Sequence, residues 1–427
     1  MLKTYRLALF FYTIFVKSYY LGIRIAALWN PKARLWIDGR KRFFEKLQQS
    51  GIQNDTAKKV WMHCASLGEF EQGRPLLEAL KNSQPGIKII LSFFSPSGYE
   101  VMKDYKVADH IFYLPMDSKA NAEKFINAID PSLVLWVKYE YWYNYLFELK
   151  RRNITTMLVS GIFRENQPFF AWYGGIWRMM LGCFTHFFVQ NDESKQLLEK
   201  IITTQNIAVS GDTRFDRVKA IADQFETLPV IKTFCADHQV IVAGSTWDED
   251  VVELKHFVKA HPEIIFIIAP HEIDMENLQD VQKEFAGSAF YSSLEKAGGH
   301  LPEPVQVLII DNIGMLSRLY YYATIAYIGG GFGADGVHNV LEAAVYGKPV
   351  VFGPVFEKFE EAIGLKEAGG AVSATGPIQL EALLNGILKD ETQRSTMGKA
   401  AAKYVTENAG ASAKIIAFIQ EKRLLTN

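Results

Sequence analysis

Short apolar runs rich in β-branched residues alternate with helical patterns along most of this 427-residue chain. Runs of this kind that are apolar throughout are typical of parallel sheets covered by helices on both faces. The first half contains KKVWMHCAS, IKIILSFF, SLVLWV and ITTMLVSG, and the second contains QVIVAGST, IIFIIAP, VQVLII, ATIAYIGGG and KPVVFGP. The pattern restarts near residue 225, within QFETLPVI, so we predict an α/β fold of two doubly wound, Rossmann-like domains that face a cleft.

The composition excludes several classes of protein. Apolar residues make up 49% and charged residues 22%, which excludes a disordered chain and a membrane protein built from many long apolar spans. The three cysteines, Cys64, Cys183 and Cys235, form no C-x-x-C pair and have no partnering histidine cluster. Neither a disulfide framework nor a zinc site is therefore expected, and a reducing compartment fits best.

The near-zero net charge of −1 conceals a basic N-terminal arm. Residues 1–50 carry a net charge of +8 and the remaining residues −9, which suggests that the arm meets a membrane or nucleic acid. Residues 7–29 form an apolar run long enough to cross a bilayer, but Lys17 and Arg24 interrupt it. With Arg6 and Thr13 these two residues form one polar stripe on an apolar helix, a pattern typical of a helix that lies in the membrane interface.

A basic cluster follows this predicted helix and suits the anionic headgroups of a cytoplasmic leaflet. It consists of Lys32, Arg34, Arg40, Lys41, Arg42 and Lys46. The alternative interpretation is a core helix whose stripe is simply its solvated side. The aromatic residues of the arm are mixed with aliphatic ones rather than spaced along a polar groove, so we expect no nucleic-acid partner.

Loops after the predicted strands of the second half could bind an anion. A strand runs into Gly329, Gly330 and Gly331, where the missing side chains let backbone approach a ligand, and a helix is predicted from about Asn339. Asn339 with Glu342 also fits a capping box, the structural alternative for this pair. Further candidates are Ser245 and Thr246 in AGSTWDED, His271, and the segment DNIG at 311–314; an ordinary helix cap is the alternative for AGSTWDED.

Three charged residues follow predicted strands of the first half. Glu69, in CASLGEFEQG, could take a proton from a substrate hydroxyl, although acids are also common in the first turn of a helix. Glu140 and Arg214 lie just beyond two other strands and would each be a surface charge if they stood alone.

Taken together, the order of these motifs resembles that of the 3-deoxy-D-manno-octulosonic acid (Kdo) transferases of lipopolysaccharide assembly, glycosyltransferases with the two-domain GT-B fold. The resemblance covers nearly the whole chain. It includes the N-terminal membrane-binding helix and four motifs, which here are HCASLGE (63–69), YEYWYN (139–144), GDTRFD (211–216) and GVHNVLEAA followed by GKPVVFGP (336–354).

The resemblance implies an inverting transfer of Kdo from CMP-Kdo to a lipid A precursor, lipid IVA, at the cytoplasmic face of the cell inner membrane. It implies that Glu69 is the proton acceptor, that Glu140 and Arg214 stabilise the transition state, and that neither a cofactor nor a metal is needed. The family's CMP-binding positions fall on Pro270, His271, Ile313, Gly314, Met315, Asn339, Val340, Leu341 and Glu342. Ser245, Thr246, Gly330 and Gly331 are further CMP-binding candidates.

The chain departs from the family pattern at several of these positions. Arg214 stands where the family has lysine, Pro270 where it usually has arginine, and Met315 where it usually has glutamate. SGIFREN replaces N-A-R-L-S, which shifts an arginine to Arg164. Other functions therefore stay open: a different GT-B enzyme, such as a nucleotide-sugar 2-epimerase or another lipid glycosyltransferase, and a non-catalytic membrane-associated nucleotide-sugar binding protein.

The predicted organisation has three parts. Residues 1–46 form the membrane-associated helix and its basic tail, residues 47–225 an acceptor-binding domain, and residues 226–427 a CMP-sugar-binding domain.

Overall fold

The computed structural model describes residues 2–138, 140–202, 206–300 and 305–425, with side chains from residue 7 onward. Tyr139 and the side chain of Arg6 lie outside this described part. The chain forms two compact units. Unit 1 runs up to Arg217 and resumes at Gly410, whereas unit 2 comprises Val218–Ala409. The boundary thus lies before residue 225, and the segment from Gly410 belongs to unit 1 rather than to the C-terminal domain.

The described residues of unit 1 contain one parallel sheet with the strand order β3-β2-β1-β4-β5-β6-β7. Its strands are β1 (Lys59–Cys64), β2 (Lys88–Phe93), β3 (His110–Tyr113), β4 (Leu133–Val137), β5 (Thr155–Gly161), β6 (His186–Val189) and β7 (Ile207–Val209). The central strand β4, LVLWV, is buried at every position. Burial on both faces explains why it is apolar throughout.

Helices connect these strands and cover both faces of the sheet. They are α1 (Leu2–Ala26), α2 (Pro31–Gly39), α3 (Phe43–Gln49), α4 (Leu67–Ser83), α5 (Pro96–Met102), α6 (Lys119–Ile129), α7 (Tyr143–Arg151), α8 (Gly175–Leu181), α9 (Asp192–Glu199) and α10 (Thr213–Asp223), with a 3₁₀ turn at Ile52–Asn54. Helix α10 carries the chain from unit 1 into unit 2.

A second parallel sheet forms the centre of unit 2 where it is described, with the order β10-β11-β9-β8-β12-β13-β14. Its strands are β8 (Val240–Thr246), β9 (Ile265–Pro270), β10 (Ala289–Phe290), β11 (Val307–Ile309), β12 (Ile325–Ile328), β13 (Val350–Phe352) and β14 (Ala371–Ser373). The prediction of two doubly wound α/β domains is therefore confirmed.

The helices of unit 2 include two very short ones beside the predicted anion-binding loops. They are α11 (Pro229–Cys235), α12 (Asp248–Ala260), α13 (Met275–Glu284), α14 (Tyr291–Lys296), α15 (Leu316–Leu319), α16 (Leu341–Ala344), α17 (Glu360–Glu367), α18 (Pro377–Lys389) and α19 (Glu391–Asn408), with a 3₁₀ turn at Tyr320–Tyr322.

The chain returns to unit 1 through α20 (Ala411–Glu421), which packs against α4. Ile415 and Ile419 of α20 are fully buried in the core on this side of the sheet. The Asp216 carboxylate accepts hydrogen bonds from the backbone N–H groups of Gly410 and Ser412. Apolar burial and a charged hydrogen-bond acceptor together explain why this segment belongs to unit 1.

Helix α1 is attached to unit 1 along one side only. Val16 is buried, and the Tyr12 hydroxyl donates a 2.6 Å hydrogen bond to Asp117 Oδ2. Lys17 and Arg24 are exposed. The helix also exposes large apolar side chains, namely Leu7, Phe10, Phe11, Ile14, Phe15, Tyr19, Tyr20, Leu21 and Ile25. In the described part of the chain, no helix combines the length and the apolar character that a membrane crossing requires.

Arg40 differs from the rest of the predicted basic cluster. Its guanidinium donates to the backbone oxygens of Leu114, Trp36 and Phe94 and lies 3.6 Å from the centre of the Trp36 ring. Burial lowers the pKa of Arg40 to about 9. The expectation that Arg40 binds headgroups is therefore wrong, because its donors fix α2 to the sheet. Lys32, Arg34, Lys41, Arg42 and Lys46 are exposed.

Candidate active site

Two carboxylates predicted to be functional follow neighbouring strands of unit 1. Strand β1 pairs with β4, with His63 opposite Trp136 at the carboxyl end. Glu69 follows β1 and Glu140 follows β4. Glu69 contacts the backbone of Ala65, which directly follows β1, and Glu140 contacts His63 within β1. The two carboxylates are therefore grouped around the end of β1, at the sheet edge where ligands of such folds bind.

Glu69 is oriented by the start of α4. It lies in the first turn of this helix, is buried, and accepts a hydrogen bond at Oε2 from the backbone N–H of Ala65. The N-terminal end of a helix favours a negative charge, because its free N–H groups point outward. A carboxylate held in this way has a fixed position from which it can accept a proton.

Glu140 is oriented by a buried group of polar side chains. Its Oε2 lies 3.5 Å from His63 Nε2 and accepts a 3.0 Å hydrogen bond from Trp142 Nε1. His63 Nδ1 is 2.9 Å from Ser92 Oγ, which also accepts from Trp61 Nε1 at 2.8 Å. An ionised carboxylate only accepts hydrogen bonds, so this arrangement favours the tautomer with the proton on Nε2 of His63, facing Glu140.

Arg214 forms an ion pair within its own turn. Its Nε is 2.8 Å and its Nη2 2.6 Å from Asp212 Oδ2. Although burial opposes ionisation, Arg214, and more weakly Lys138, hold the pKa of Asp212 below its ordinary value. Asp212 thus fixes the orientation of the Arg214 guanidinium.

The segment after β7 lies across the carboxyl ends of other strands. The Thr213 hydroxyl is 3.1 Å from that of Ser160, near the end of β5. One turn further along α10, Arg217 Nε donates a 2.7 Å hydrogen bond to Glu71 of α4. Although β7 is at the edge of the sheet, these contacts place the start of α10, which carries Arg214, beside the start of α4, which carries Glu69.

Sequence reasoning missed the partners of these residues. His63 and Asp212 were part of recognised motifs, but nothing in the sequence connects His63 with Ser92 or Asp212 with Lys138. Lys138 has a left-handed backbone with φ of 54°, which is uncommon for a residue other than glycine. Left-handed residues of this kind are often found at functional sites.

In unit 2, a buried carboxylate organises the loops after β8 and β12. Asp250, in the first turn of α12, is fully buried. Its Oδ2 accepts hydrogen bonds from the backbone N–H groups of Trp247 at 2.9 Å and Gly330 at 2.8 Å, and its Oδ1 accepts one from the Tyr327 hydroxyl at 2.5 Å. We call these four residues the Asp250 cluster. The alternative of an ordinary Ser/Thr cap in AGSTWDED is wrong, because Trp247 is the N-cap residue of α12 and its backbone N–H is bound by Asp250. The first turn does carry acids, and one of them, Asp250, also fixes the glycine loop.

The three consecutive glycines serve close packing of backbone on backbone. A Cβ atom on Gly329 would be 2.3 Å from the carbonyl oxygen of Ser245, and one on Gly330 would be 2.4 Å from that of Gly336. A Cβ on Gly331 would be 2.6 Å from the backbone nitrogen of Gly353. The positions that Cβ atoms would occupy are therefore filled by the protein's own backbone. CMP binding by Gly330 and Gly331 stays a prediction.

Three aromatic rings are stacked at the end of β8 and β9. His271 lies 4.5 Å, between ring centres, from both Trp247 and His338. Trp247 Nε1 donates a 2.9 Å hydrogen bond to His338 Nε2, which requires the neutral imidazole. Burial, together with the charge of His271, lowers the pKa of His338 to about 4. His271 was predicted from the sequence, whereas the roles of Trp247 and His338 in the stack were not.

The predicted helix near Asn339 begins later than expected. Helix α16 starts at Leu341 and has only four residues. Asn339 Oδ1 accepts from the backbone N–H of Leu341, and its Nδ2 donates to Glu342 at 3.1 Å. The side chains of Val340 and Leu341 are fully buried. Of this segment, Asn339 and Glu342 keep partly exposed side chains, and their contact with CMP stays a prediction.

The other predicted CMP positions differ in exposure. Ile313 is 85% exposed and Gly314 has a φ of 93°, whereas Met315 is buried. Pro270 ends β9 and is also buried. Ser245 and Thr246 end β8, and the backbone oxygen of Thr246 accepts a hydrogen bond from the N–H of His271. These loops all follow strands of the unit 2 sheet.

A search of the described residues finds no group of three or more His, Cys, Asp and Glu side chains that could hold a metal ion. The independence of the reaction from metals and cofactors stays a prediction.

Comparison with known proteins shows which family the chain resembles. The sequence model of the family described as 3-deoxy-D-manno-octulosonic-acid transferase (kdotransferase) matches residues 40–217. A Kdo transferase of Haemophilus influenzae is 26% identical over 84% of this chain and 85% of its own length. The chain is thus similar to Kdo transferases over most of its length. A Kdo transferase of Aquifex aeolicus is 25% identical over 78% of this chain and 85% of its own length.

One relative is a longer protein. The bifunctional glycosyltransferase/methyltransferase of Fusobacterium nucleatum is 28% identical over 73% of this chain, and the match covers 50% of that protein. The relatives thus support a glycosyltransferase.

Solved structures agree on the fold. A putative UDP-N-acetylglucosamine 2-epimerase of Listeria monocytogenes matches with a TM-score of 0.61 at 16% identity, covering 87% of this chain and 98% of its own. MurG of Acinetobacter baumannii matches with a TM-score of 0.51 at 13% identity, and the match covers 85% of this chain and 99% of MurG. At such identities the likeness establishes the fold class, GT-B, and nothing about the substrate.

Proposed function

We propose that this protein moves Kdo from CMP-Kdo to a lipid A precursor, lipid IVA, in lipopolysaccharide biosynthesis. The observation that carries this proposal is the pair of oriented carboxylates, Glu69 and Glu140, at the ends of the adjacent strands β1 and β4. Transfer from an activated sugar needs a base for the acceptor hydroxyl and stabilisation of the charge that develops.

In this mechanism Glu69 takes the proton from the acceptor hydroxyl as that oxygen attacks the anomeric carbon of Kdo. The bond from this carbon to the CMP phosphate breaks, and the electron pair leaves with the phosphate. Direct attack with a single base inverts the configuration at the anomeric carbon. Glu140 and Arg214 stabilise the charges of the transition state, with His63 and Asp212 holding them in orientation.

The loops of unit 2 bind CMP in this proposal. His271 is exposed and stacked on the ring of Trp247, so its outer face can stack against a cytosine ring. The backbone of the 313–314 loop, together with Asn339 and Glu342, supplies hydrogen-bonding groups. Because the sugar nucleotide already carries CMP as its leaving group, these residues need to bind and orient the donor rather than activate it.

The acceptor is delivered at the cytoplasmic face of the inner membrane, which helix α1 contacts. Its exposed apolar side chains and the basic residues Lys17, Arg24, Lys32, Arg34, Lys41, Arg42 and Lys46 support this proposal. Apolar burial together with attraction to anionic lipids is the usual basis of interfacial binding.

The test is a transfer assay with CMP-Kdo and a tetra-acylated lipid A precursor, with products resolved by mass spectrometry. Wild type is expected to add Kdo, and Glu69→Gln to lose at least about a hundredfold in kcat because the base is missing. Glu78→Gln is the matched control, since Glu78 lies on the same helix and contacts Arg74 and Tyr105. Equal rates for Glu69→Gln and wild type would remove Glu69 as the base. No product from wild type would refute the proposed function.

A further inference from the structure

An apolar groove of about 640 Å³ lies in unit 1 between α1 and α8. Its walls include Ala8, Phe11 and Phe15 of α1 and Ile176, Trp177 and Met180 of α8. We call it the α1–α8 groove. Its volume lies within the range of roughly 300–1,000 Å³ that small-molecule sites occupy, and sites of this kind are mostly apolar.

The groove reaches the candidate active site. The segment from Glu140 to Trp142 completes its lining. Among the described residues that line it, Glu140 alone carries a charge, and its side chain is 24% exposed. The same carboxylate faces His63 on its other side. A ligand in the groove therefore has one part next to a carboxylate that we place in the transfer reaction.

The rim of the groove is continuous with the exposed apolar surface of α1. Phe11 is 59% exposed and Tyr173, from the loop before α8, 56%. The neighbouring Trp172 is 92% exposed. Apolar surface on this scale is rare on a soluble protein unless it meets a lipid or a partner. The groove thus connects the surface that we assign to the membrane with the carboxylate at the end of β4.

Two polar groups of the lining already have hydrogen-bond partners. The Tyr12 hydroxyl donates to Asp117, and the Trp142 indole N–H donates to Glu140. A sugar or nucleotide carries many more polar groups than this mostly apolar lining can pair, so burying one here is costly. A hydrocarbon chain has no such requirement and gains from burial.

We propose that the α1–α8 groove binds one fatty acyl chain of the acceptor lipid. This inference rests on the proposed function, since it uses Glu140 as part of the transfer site and a lipid as the acceptor. With its chain in the groove, the acceptor has its sugar head group next to Glu140 and its other chains at the membrane surface. The groove then selects acceptors by acyl chain length, with a change of about fourfold in affinity for each buried methylene.

The first experiment locates the chain without requiring any transfer. A 12-carbon fatty acid with a diazirine at its terminal carbon is photo-crosslinked to the full chain, and labelled peptides are mapped by mass spectrometry. Labelling is expected on α8 and on residues 8–15 of α1, and unlabelled 12-carbon fatty acid should compete with it. Labelling confined to other surfaces, or absent from α8, would overturn the proposal.

The second experiment fills or charges the groove. Ala8→Trp should occupy the space between α1 and α8, and Tyr173→Asp places a charge at the exposed rim, where folding is least affected. Each variant should raise the KM for the tetra-acylated acceptor about tenfold or more, with little change for a deacylated acceptor analogue. The controls are Val101→Trp and Val101→Asp, because Val101 is exposed in the same unit and lies outside the groove.

The outcomes separate the two proposals. Equal losses with both acceptors, or no loss in either groove variant, would overturn the acyl-chain assignment. If wild type transfers no Kdo but its groove is still labelled, the groove binds hydrocarbon and the proposed reaction fails. If transfer occurs and labelling lies elsewhere, the reaction stands and the groove assignment fails.

Discussion

Replacing Asp250 with alanine should destabilise unit 2 severely. Asp250 is fully buried and accepts three hydrogen bonds, from the hydroxyl of Tyr327 and from the N–H groups of Trp247 and Gly330. Alanine would leave these three donors without that acceptor, and each such loss costs about 1–3 kcal/mol. Since removing the buried carboxylate also removes its own desolvation cost, we expect a net loss of about 4 kcal/mol.

Asp250→Asn is the informative companion variant. Its side-chain oxygen can still accept from the two backbone N–H groups, and its amide N–H can donate to the Tyr327 oxygen, which reverses one bond instead of losing it. We therefore expect a loss of about 1–2 kcal/mol for asparagine, mainly from the hydroxyl proton of Tyr327 that is left without an acceptor.

Urea unfolding followed by circular dichroism measures these differences, and a loss of about 4 kcal/mol would lower the Tm of a unit of this size by roughly 8–16 °C. Hydrogen exchange gives a local measure, because the Gly330 amide proton should lose its protection in the alanine variant and keep most of it in the asparagine variant. An alanine variant within about 1 kcal/mol of wild type, or an asparagine variant as unstable as the alanine one, would refute the role assigned to the Asp250 cluster.

Three further predictions concern other parts of the molecule. His63→Ala should lower kcat by roughly tenfold to a hundredfold with little change in the KM for CMP-Kdo, because it misplaces Glu140 without touching the donor. An increase in KM alone would contradict this prediction. The double variant Lys17→Glu/Arg24→Glu should bind anionic vesicles at least about tenfold more weakly in sedimentation assays while retaining CMP binding, and unchanged sedimentation would argue against membrane contact by α1. The pKa of His338 falls from 6.5 to about 4 on folding. Between these pH values the unfolded chain takes up a proton that the folded unit does not. The free energy of unfolding should therefore decline as the pH drops from 6.5 towards 4. His338→Gln keeps a hydrogen-bond acceptor without a titrating group, so its urea midpoint should change less over this pH range; an identical decline would show that other groups control it.

The sequence was most informative where a local pattern has a single structural solution. The run LVLWV is uniformly apolar because β4 is buried on both faces, and such runs predicted both parallel sheets. The same logic places Glu69 and Glu140 after strands, and because β1 and β4 are neighbours the structure brings them together. What these residues do chemically stays a prediction.

Long-range contacts could not be predicted from one sequence. No local signal connects His63 with Ser92 or Arg40 with the backbone of Leu114, because each pair comes together only when the sheet forms. The sequence alone therefore places Arg40 with the exposed cations of the basic cluster. The glycine run is a related case: a missing side chain makes room for a ligand or for another stretch of backbone, and only the fold shows that backbone fills the Cβ positions here.

The return of α20 to unit 1 has a consequence for how the protein is made. A ribosome completes all of unit 2 before residues 411–421 emerge, and until then α4 lacks the helix that covers it. The N-terminal unit, although synthesised first, is thus the last to finish its core, whereas unit 2 is contiguous and can fold as it appears. During that interval the nascent chain exposes apolar surface on α4 as well as on α1. Chaperones or the membrane can then bind this unit, which we propose receives the lipid.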